Sequence, residues 1–200
     1  MAEASLPSDF ISALKALAEW FESEKVPHAT IGGVAVSLIA EPRATQDIDA
    51  VIWFEENRWE TLLESAAAHG FVPRISEALD FAGKARVLLL KHRTSGVNID
   101  LSLGALEFER EMIERATLLV IGALKLRVAT PEDLIVTKAV AQRAKDIADI
   151  ESILNIQKNL DLARIRHWTY EFANALDMPE VQESVERLLR RQQGTDKSSP

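Results

Sequence analysis

The stretch "DIDAVIWF", residues 47 to 54, constrains the chain more than any other, because it alternates acid with apolar residue and then becomes wholly apolar. Alternation has the period of a strand, and an unbroken apolar run marks a strand covered on both faces. A covered strand requires layers on either side, so this segment is the candidate for the centre of a sheet flanked by helices. Side chains at i and i+2 of a strand share one face, so Asp47 and Asp49 stand about 7 Å apart along the backbone. Carboxylates that close repel each other. Hard divalent cations relieve the repulsion, and magnesium prefers one or two carboxylates together with waters and phosphate oxygens. The competing reading is a strand end emerging into solvent, with both acids simply hydrated.

Around this strand the sequence alternates between element types. "SDFISALKALAEWFESEK" spaces Ile11, Leu14, Leu17, Ala18 and Phe21 as an amphipathic helix does, with Ser8 or Asp9 as N-cap. "HATIGG" reads as a short strand ending in a Gly-Gly turn, and "VAVSLIA" as a short helix closed by Pro42. "ENRWETLLESAAAHG" is helical, and "KARVLLLKH" and "VNIDLSL" form a hairpin around "RTSG". "TLLVIGALKLRVA" gives two more short strands.

At "TPEDL" the character changes. Thr130 suits an N-cap, Pro131 the first helical position, and Asp133 the first turn. "EDLIVTKAVAQRAKDIADIESIL", "LARIRHWTYEFANAL" and "EVQESVERLLRR" all follow with helical periodicity. The expected organisation is a core over 1–127 with an N-terminal helix, a helical part over 128–193 packed on it, and a disordered tail over 194–200.

Composition limits the chemistry. The chain has no cysteine, which removes disulfides, thiolate nucleophiles and zinc-thiolate sites. Its four histidines lack metal-ligand spacing, and its tryptophans read as core residues. The acidic start "MAEASLPSDF" does not read as a secretory signal, and no apolar run is long enough for a membrane span, so a cytoplasmic protein is expected. A formal charge of -8 disfavours a surface built for nonspecific nucleic-acid binding.

Asp100 in "VNIDLSL" repeats the anomaly of Asp47 and Asp49, since it is a lone carboxylate flanked by Ile99 and Leu101 in a predicted strand. Aspartate is depleted in strands and is rarely buried unpaired. Gly32 and Gly33 supply a tight turn whose amides can approach phosphate oxygens, with a helix N-terminus following. Alone they are an ordinary turn. With three acids they describe a site for a nucleoside triphosphate and magnesium or manganese, attacked at the α-phosphate, of the two-metal kind that clamps attacking and leaving oxygens.

These residues resemble the nucleotidyltransferase superfamily of the DNA polymerase β type. Its pattern is Gly-Gly or Gly-Ser, an interval, Asp-apolar-Asp/Glu-apolar, and a third acid on a later strand. Here Gly32 and Gly33 precede thirteen residues, then "DIDA", with Asp100 as the third acid. "RATQDID" resembles the version in small bacterial nucleotidyltransferases, including toxins of type IV toxin–antitoxin pairs. In those relatives a later helix carries a lysine and an acid, and Lys138 and Asp146 occupy the matching places.

The resemblance implies an α+β nucleotidyltransferase fold with a mixed central sheet and a C-terminal helical part. It implies that Asp47, Asp49 and Asp100 ligate the metal, with Asp100 also a candidate to accept the proton of the attacking hydroxyl. Gly32 and Gly33 would hold the β- and γ-phosphates, with Arg43, Thr45 and Lys138 adding contacts to the triphosphate. Read as residues alone, Arg43 and Thr45 are also ordinary loop polarity, Lys138 a solvated lysine and Asp146 a surface acid. The acceptor hydroxyl belongs to a tRNA 3′ end, a small molecule or a protein side chain, and an antitoxin is a candidate partner. The alternative in another class is a noncatalytic module that binds a nucleotide or a partner.

Overall fold

The computed structural model describes residues 7–196. Within them the chain runs α1 (Ser8–Ser23), β1 (His28–Ile31), α2 (Gly32–Ile39), β2 (Asp47–Ile52), α3 (Trp59–Ala68), β3 (Phe71–Pro73), α4 (Ala78–Ala85), β4 (Val87–His92), β5 (Asn98–Leu103), α5 (Glu107–Arg115), β6 (Thr117–Ile121) and β7 (Leu124–Val128). Four helices follow: α6 (Pro131–Ala141), α7 (Ala144–Ile156), α8 (Leu162–Leu176) and α9 (Glu180–Asp196). The expected tail at 194–200 meets α9 over 194–196, and residues 197–200 lie outside the described residues. No helix among the described residues is long and apolar enough to cross a membrane.

The strands form one mixed sheet of order β3-β4-β5-β2-β1-β7-β6, which places β2 in the middle, as its apolar run predicts. β2 pairs parallel with β5 and antiparallel with β1, while β4 and β5 make the expected antiparallel hairpin, Lys91 opposite Asn98. One face of this region is core. Ile48, Ala50, Leu88, Leu90, Ile99 and Leu101 are buried there, whereas Asp47, Asp49, Leu89, Asn98 and Asp100 on the opposite face are half-exposed. The alternation that marks β2 in the sequence is thus a difference between a dry face and a working face.

The chain divides into two compact units: one reaches Ala35 and resumes over Arg43–Ala129, and the other comprises Val36–Pro42 and the chain from Thr130 onward. The sheet belongs to the first. In the second, Thr130 caps α6 by accepting the Asp133 N–H at 3.3 Å, and its hydroxyl donates to Asp133 Oδ2 at 3.0 Å. α6 is buried almost all round, with Leu134, Ile135, Val136 and Ala139 fully covered. The 36–42 segment is tied to α7 and the residue after it: Glu41 N–H donates to Ser152 Oγ at 3.0 Å, and Gln157 Nε2 donates to Ile39 O.

Local readings differ from the structure in several places. The first helix is capped by Pro7, with no side-chain cap from Ser8 or Asp9. The Gly-Gly turn is instead the opening of α2, since the helix begins at Gly32 itself. The long helix expected over "EDLIVTKAVAQRAKDIADIESIL" breaks at Gln142, which adopts a left-handed conformation at φ 54°. Such a residue ends hydrogen bonding along a helix, so two helices replace one. Lys84 and Ala85, assigned to the hairpin, close α4, and Trp53 is exposed while Trp20 and Trp59 are core.

Candidate active site

The site is built from the sheet register. Asp49 faces Asp100 across the parallel β2–β5 ladder, and Ile31, the residue before Gly32, faces Asp49 from β1. Registered neighbours point to the same side of a sheet, so Asp49 and Asp100 project together, with Asp47 two residues along on the same face. One oxygen from each of Asp47, Asp49 and Asp100 lies within 4.8 Å of the others. Three half-buried acids therefore converge from two strands far apart in sequence.

Gly32 closes one side of the cluster. Its φ of +66° is in the left-handed region, and a Cβ built there would lie 1.9 Å from Asp49 Oδ2 and 2.7 Å from Asp49 Cβ. The carboxylate occupies the volume that any other residue would need. At Gly33 an added Cβ would meet Thr45 Oγ1 at 2.6 Å and Arg43 Nη2 at 3.1 Å, so Gly33, Arg43 and Thr45 also converge. Thr45 donates to Asp47 O at 3.1 Å, which ties the loop to the first acid, and Arg43 Nη1 donates to Ala44 O at 3.2 Å.

Burial pushes the Asp100 carboxyl above its ordinary range; the Arg74 charge and hydrogen bond oppose this, while the Asp47 charge adds to it, and the net shift is upward. A hard divalent cation fits this donor set. Three hard carboxylate oxygens converge, and Asn98, opposite Asp47 in the ladder, has a buried Oδ1 without a hydrogen-bond partner among the described residues. The face offers a surplus of oxygen.

Lys138 and Asp146 lie in the second unit and are not surface residues: Lys138 is 5% exposed and Asp146 fully covered. Lys138 Nζ donates to Asp146 Oδ1 at 3.2 Å and sits 2.8 Å from Asp149 Oδ2. Asp146 also accepts from Arg143 Nε at 2.5 Å and from its backbone N–H at 3.3 Å, as the N3 residue of α7. Burial acts to raise the Asp146 carboxyl, but the Arg143 hydrogen bond and the Lys138 charge and hydrogen bond together hold it below its ordinary range. Asp149 was not singled out by sequence reasoning, although its spacing of three from Asp146 on a helix is the signal for a shared face.

The other residue missed is Arg74, whose Nη2 donates to Asp100 Oδ1. It follows β3, a strand too short to show period-two alternation, so nothing in the text around it marks its place beside the acids.

A sequence comparison with curated proteins finds no match. Solved structures are similar in fold. An antigenic nucleotidyltransferase-like protein from Paracoccidioides brasiliensis superposes with TM-score 0.56 at 20% identity, covering 92% of this chain and 95% of that one. ANT(2″)-Ia in complex with adenylyl-2″-tobramycin gives 0.55 at 17%, covering 85% and 99%. The lincosamide antibiotic adenylyltransferase LnuA, lincomycin-bound, gives 0.53 at 14%, covering 76% and 98%. Residues 10–197 match the model of a family described as nucleotidyltransferase of unknown function, DUF6036; the chain belongs to that family and is a nucleotidyltransferase.

Proposed function

We propose that this enzyme transfers a nucleoside monophosphate from a magnesium-bound nucleoside triphosphate to the hydroxyl of a small molecule, releasing pyrophosphate. The observation that carries the reading is the convergence of one oxygen from each of Asp47, Asp49 and Asp100 within 4.8 Å of one another, with Gly32 leaving the Asp49 carboxylate the room it occupies. Asp47, Asp49 and Asp100 would hold the cation. When bound, magnesium supplies charge neutralisation at the phosphate oxygens and acidifies a coordinated hydroxyl.

The chain's own residues orient and receive. The backbone amides at Gly32 and Gly33, at the start of α2, would bind phosphate oxygens, and Arg43 and Thr45, which converge on Gly33, would add a charge and a hydroxyl. Asp100 takes the proton of the acceptor hydroxyl. A bond then forms from that oxygen to the α-phosphorus as the bond to the β-phosphate oxygen breaks, and pyrophosphate carries away the electron pair. Lys138, held by Asp146 and Asp149, is assigned to ordering the second unit.

A small acceptor is favoured by the charge of -8, which gives a polyanionic RNA little attraction, and by the fold likeness to enzymes that act on aminoglycosides and lincosamides. The test is pyrophosphate release with each of the four nucleoside triphosphates, with and without magnesium, against aminoglycosides, lincosamides, simple polyols and deacylated tRNA. Magnesium-dependent turnover with a small acceptor, lost in Asp47→Asn with Asp49→Asn, is expected. Labelling of tRNA alone would replace the acceptor by an RNA end and favour a toxin. No turnover and no nucleotide binding would refute the site itself.

A further inference from the structure

Arg74, Leu89, Asp100 and Asp49 form a row across four adjacent strands. Arg74 N–H donates to Leu89 O at 3.0 Å, continuing the β3–β4 ladder one residue past Pro73, which pairs with Leu90. Leu89 in turn faces Asp100, and Asp100 faces Asp49. All project from the half-exposed face. Strands are spaced about 4.8 Å apart, so the backbones of Arg74 and Asp100 are about 10 Å apart, a gap that an extended arginine side chain spans.

Its Nη2 donates to Asp100 Oδ1. The Nε is buried and has no hydrogen-bond partner among the described residues. A guanidinium placed only to stabilise the fold is expected to satisfy its whole donor fork, because an unpaired buried donor is costly. Here Nη2 is aimed at one oxygen of one carboxylate, and the buried Nε is left unfilled.

We propose that Arg74 is a positioning residue for the metal site: it anchors Oδ1 of Asp100, fixes the side-chain rotamer and leaves the second oxygen for the cation. This rests on the reading of Asp47, Asp49 and Asp100 as cation ligands. Ligating carboxylates are themselves held by hydrogen bonds, and loss of such a partner typically lowers metal affinity or activity about 10- to 100-fold. Asp100 needs this support more than Asp49 does, because Asp49 is wedged against Gly32 whereas Asp100 borders Leu89, which offers no side-chain donor.

The test is manganese binding to the nucleotide-free protein, followed by the electron paramagnetic resonance signal of the free ion, on wild type, Arg74→Ala, Arg74→Lys and Asp49→Asn. Arg74→Ala is expected to bind at least about tenfold more weakly. Arg74→Lys should recover part of the loss, and neither variant should shift the melting temperature in chelator. Binding by Arg74→Ala as tight as or tighter than wild type overturns the proposal, as does a lower melting temperature in chelator that accounts for the whole effect. If Arg74→Ala does not fold, Arg74→Lys decides alone: intermediate affinity supports the role, and wild-type affinity refutes it. Unchanged binding in Asp49→Asn would instead bring down the metal reading, and this inference with it.

Discussion

Gly32→Ala is the sharpest single-atom perturbation available, because the methyl group it adds would lie 1.9 Å from Asp49 Oδ2 and 2.5 Å from Cγ. Two costs follow. The left-handed backbone at φ +66° costs a non-glycine residue about 1 to 2 kcal/mol. Driving Asp49 off its rotamer adds about 0.5 to 1.5 kcal/mol. Together they come to about 1.5 to 3.5 kcal/mol, or a fall of about 3 to 14 °C in the melting temperature of a chain this size. Activity should fall further than stability. Displacing a reacting group by about 1 Å costs on the order of a hundredfold. The assay pairs thermal melts with initial rates of pyrophosphate release at a temperature where the variant is folded. Gly83→Ala is the control, since Gly83 lies within α4 and a Cβ there meets nothing within 4 Å; it should be neutral or stabilise by up to about 1 kcal/mol. A Gly32→Ala protein that melts with wild type and keeps the wild-type rate of pyrophosphate release would refute the packing argument and the role of Asp49 together.

Lys138→Met removes the ammonium shared by Asp146 and Asp149, 0% and 2% exposed, and puts an apolar chain beside them, with Arg143 still bonded to Asp146. A loss of about 3 to 5 kcal/mol is expected by chemical denaturation. Because the Asp146 carboxyl is held below its ordinary range, its contribution is fully present above the unfolded value near 3.9 and disappears as pH falls through the folded value. The stability gap between wild type and Asp146→Asn should therefore be flat from about pH 5 to 7 and close below about pH 4. His28 is shifted downward, chiefly by burial, which its hydrogen bond to Val26 O opposes and the Arg127 charge reinforces. Protonation then favours the unfolded chain, so the contribution present above about pH 6.5 is lost as pH falls through the folded value, and His28→Gln should flatten the melting profile between about pH 7 and 5.

How much of this could be read in the text depended on whether the signal was local. The acids at 47 and 49 announce a strand with one working face because the two-residue period lies within a few letters, and Thr130, Pro131 and Asp133 announce a helix start in the same way. Asp100 stands out against its apolar neighbours. What is not local is register: that Asp49 faces Asp100, and that Arg74 lies in their row, depends on the pairing of β3, β4, β5 and β2. β3 is three residues long, and α4 contains Gly83 in a poor helical context, so neither passes a periodicity test. α5 went unread because the charges of "EFEREMIER" conceal a narrow stripe of Phe108, Met112 and Ile113. The solvated reading of Lys138 fails for the opposite reason, since a lysine on a helix is surface by default and only the tertiary placement of Asp146 and Asp149 makes burial tolerable.

The transverse row also has a kinetic consequence. Its members come from separate strands, and the central pairing of β2 with β5 is parallel, so it cannot form by simple hairpin closure. Non-local parallel pairing is slow because loop closure must precede any reward. A nascent chain that has emerged only through Asp49 holds two of the three carboxylates with no partner strand to align the third. The acidic cluster is thus complete only once β2 has paired with β5. A cation that binds it would slow unfolding more than it speeds folding.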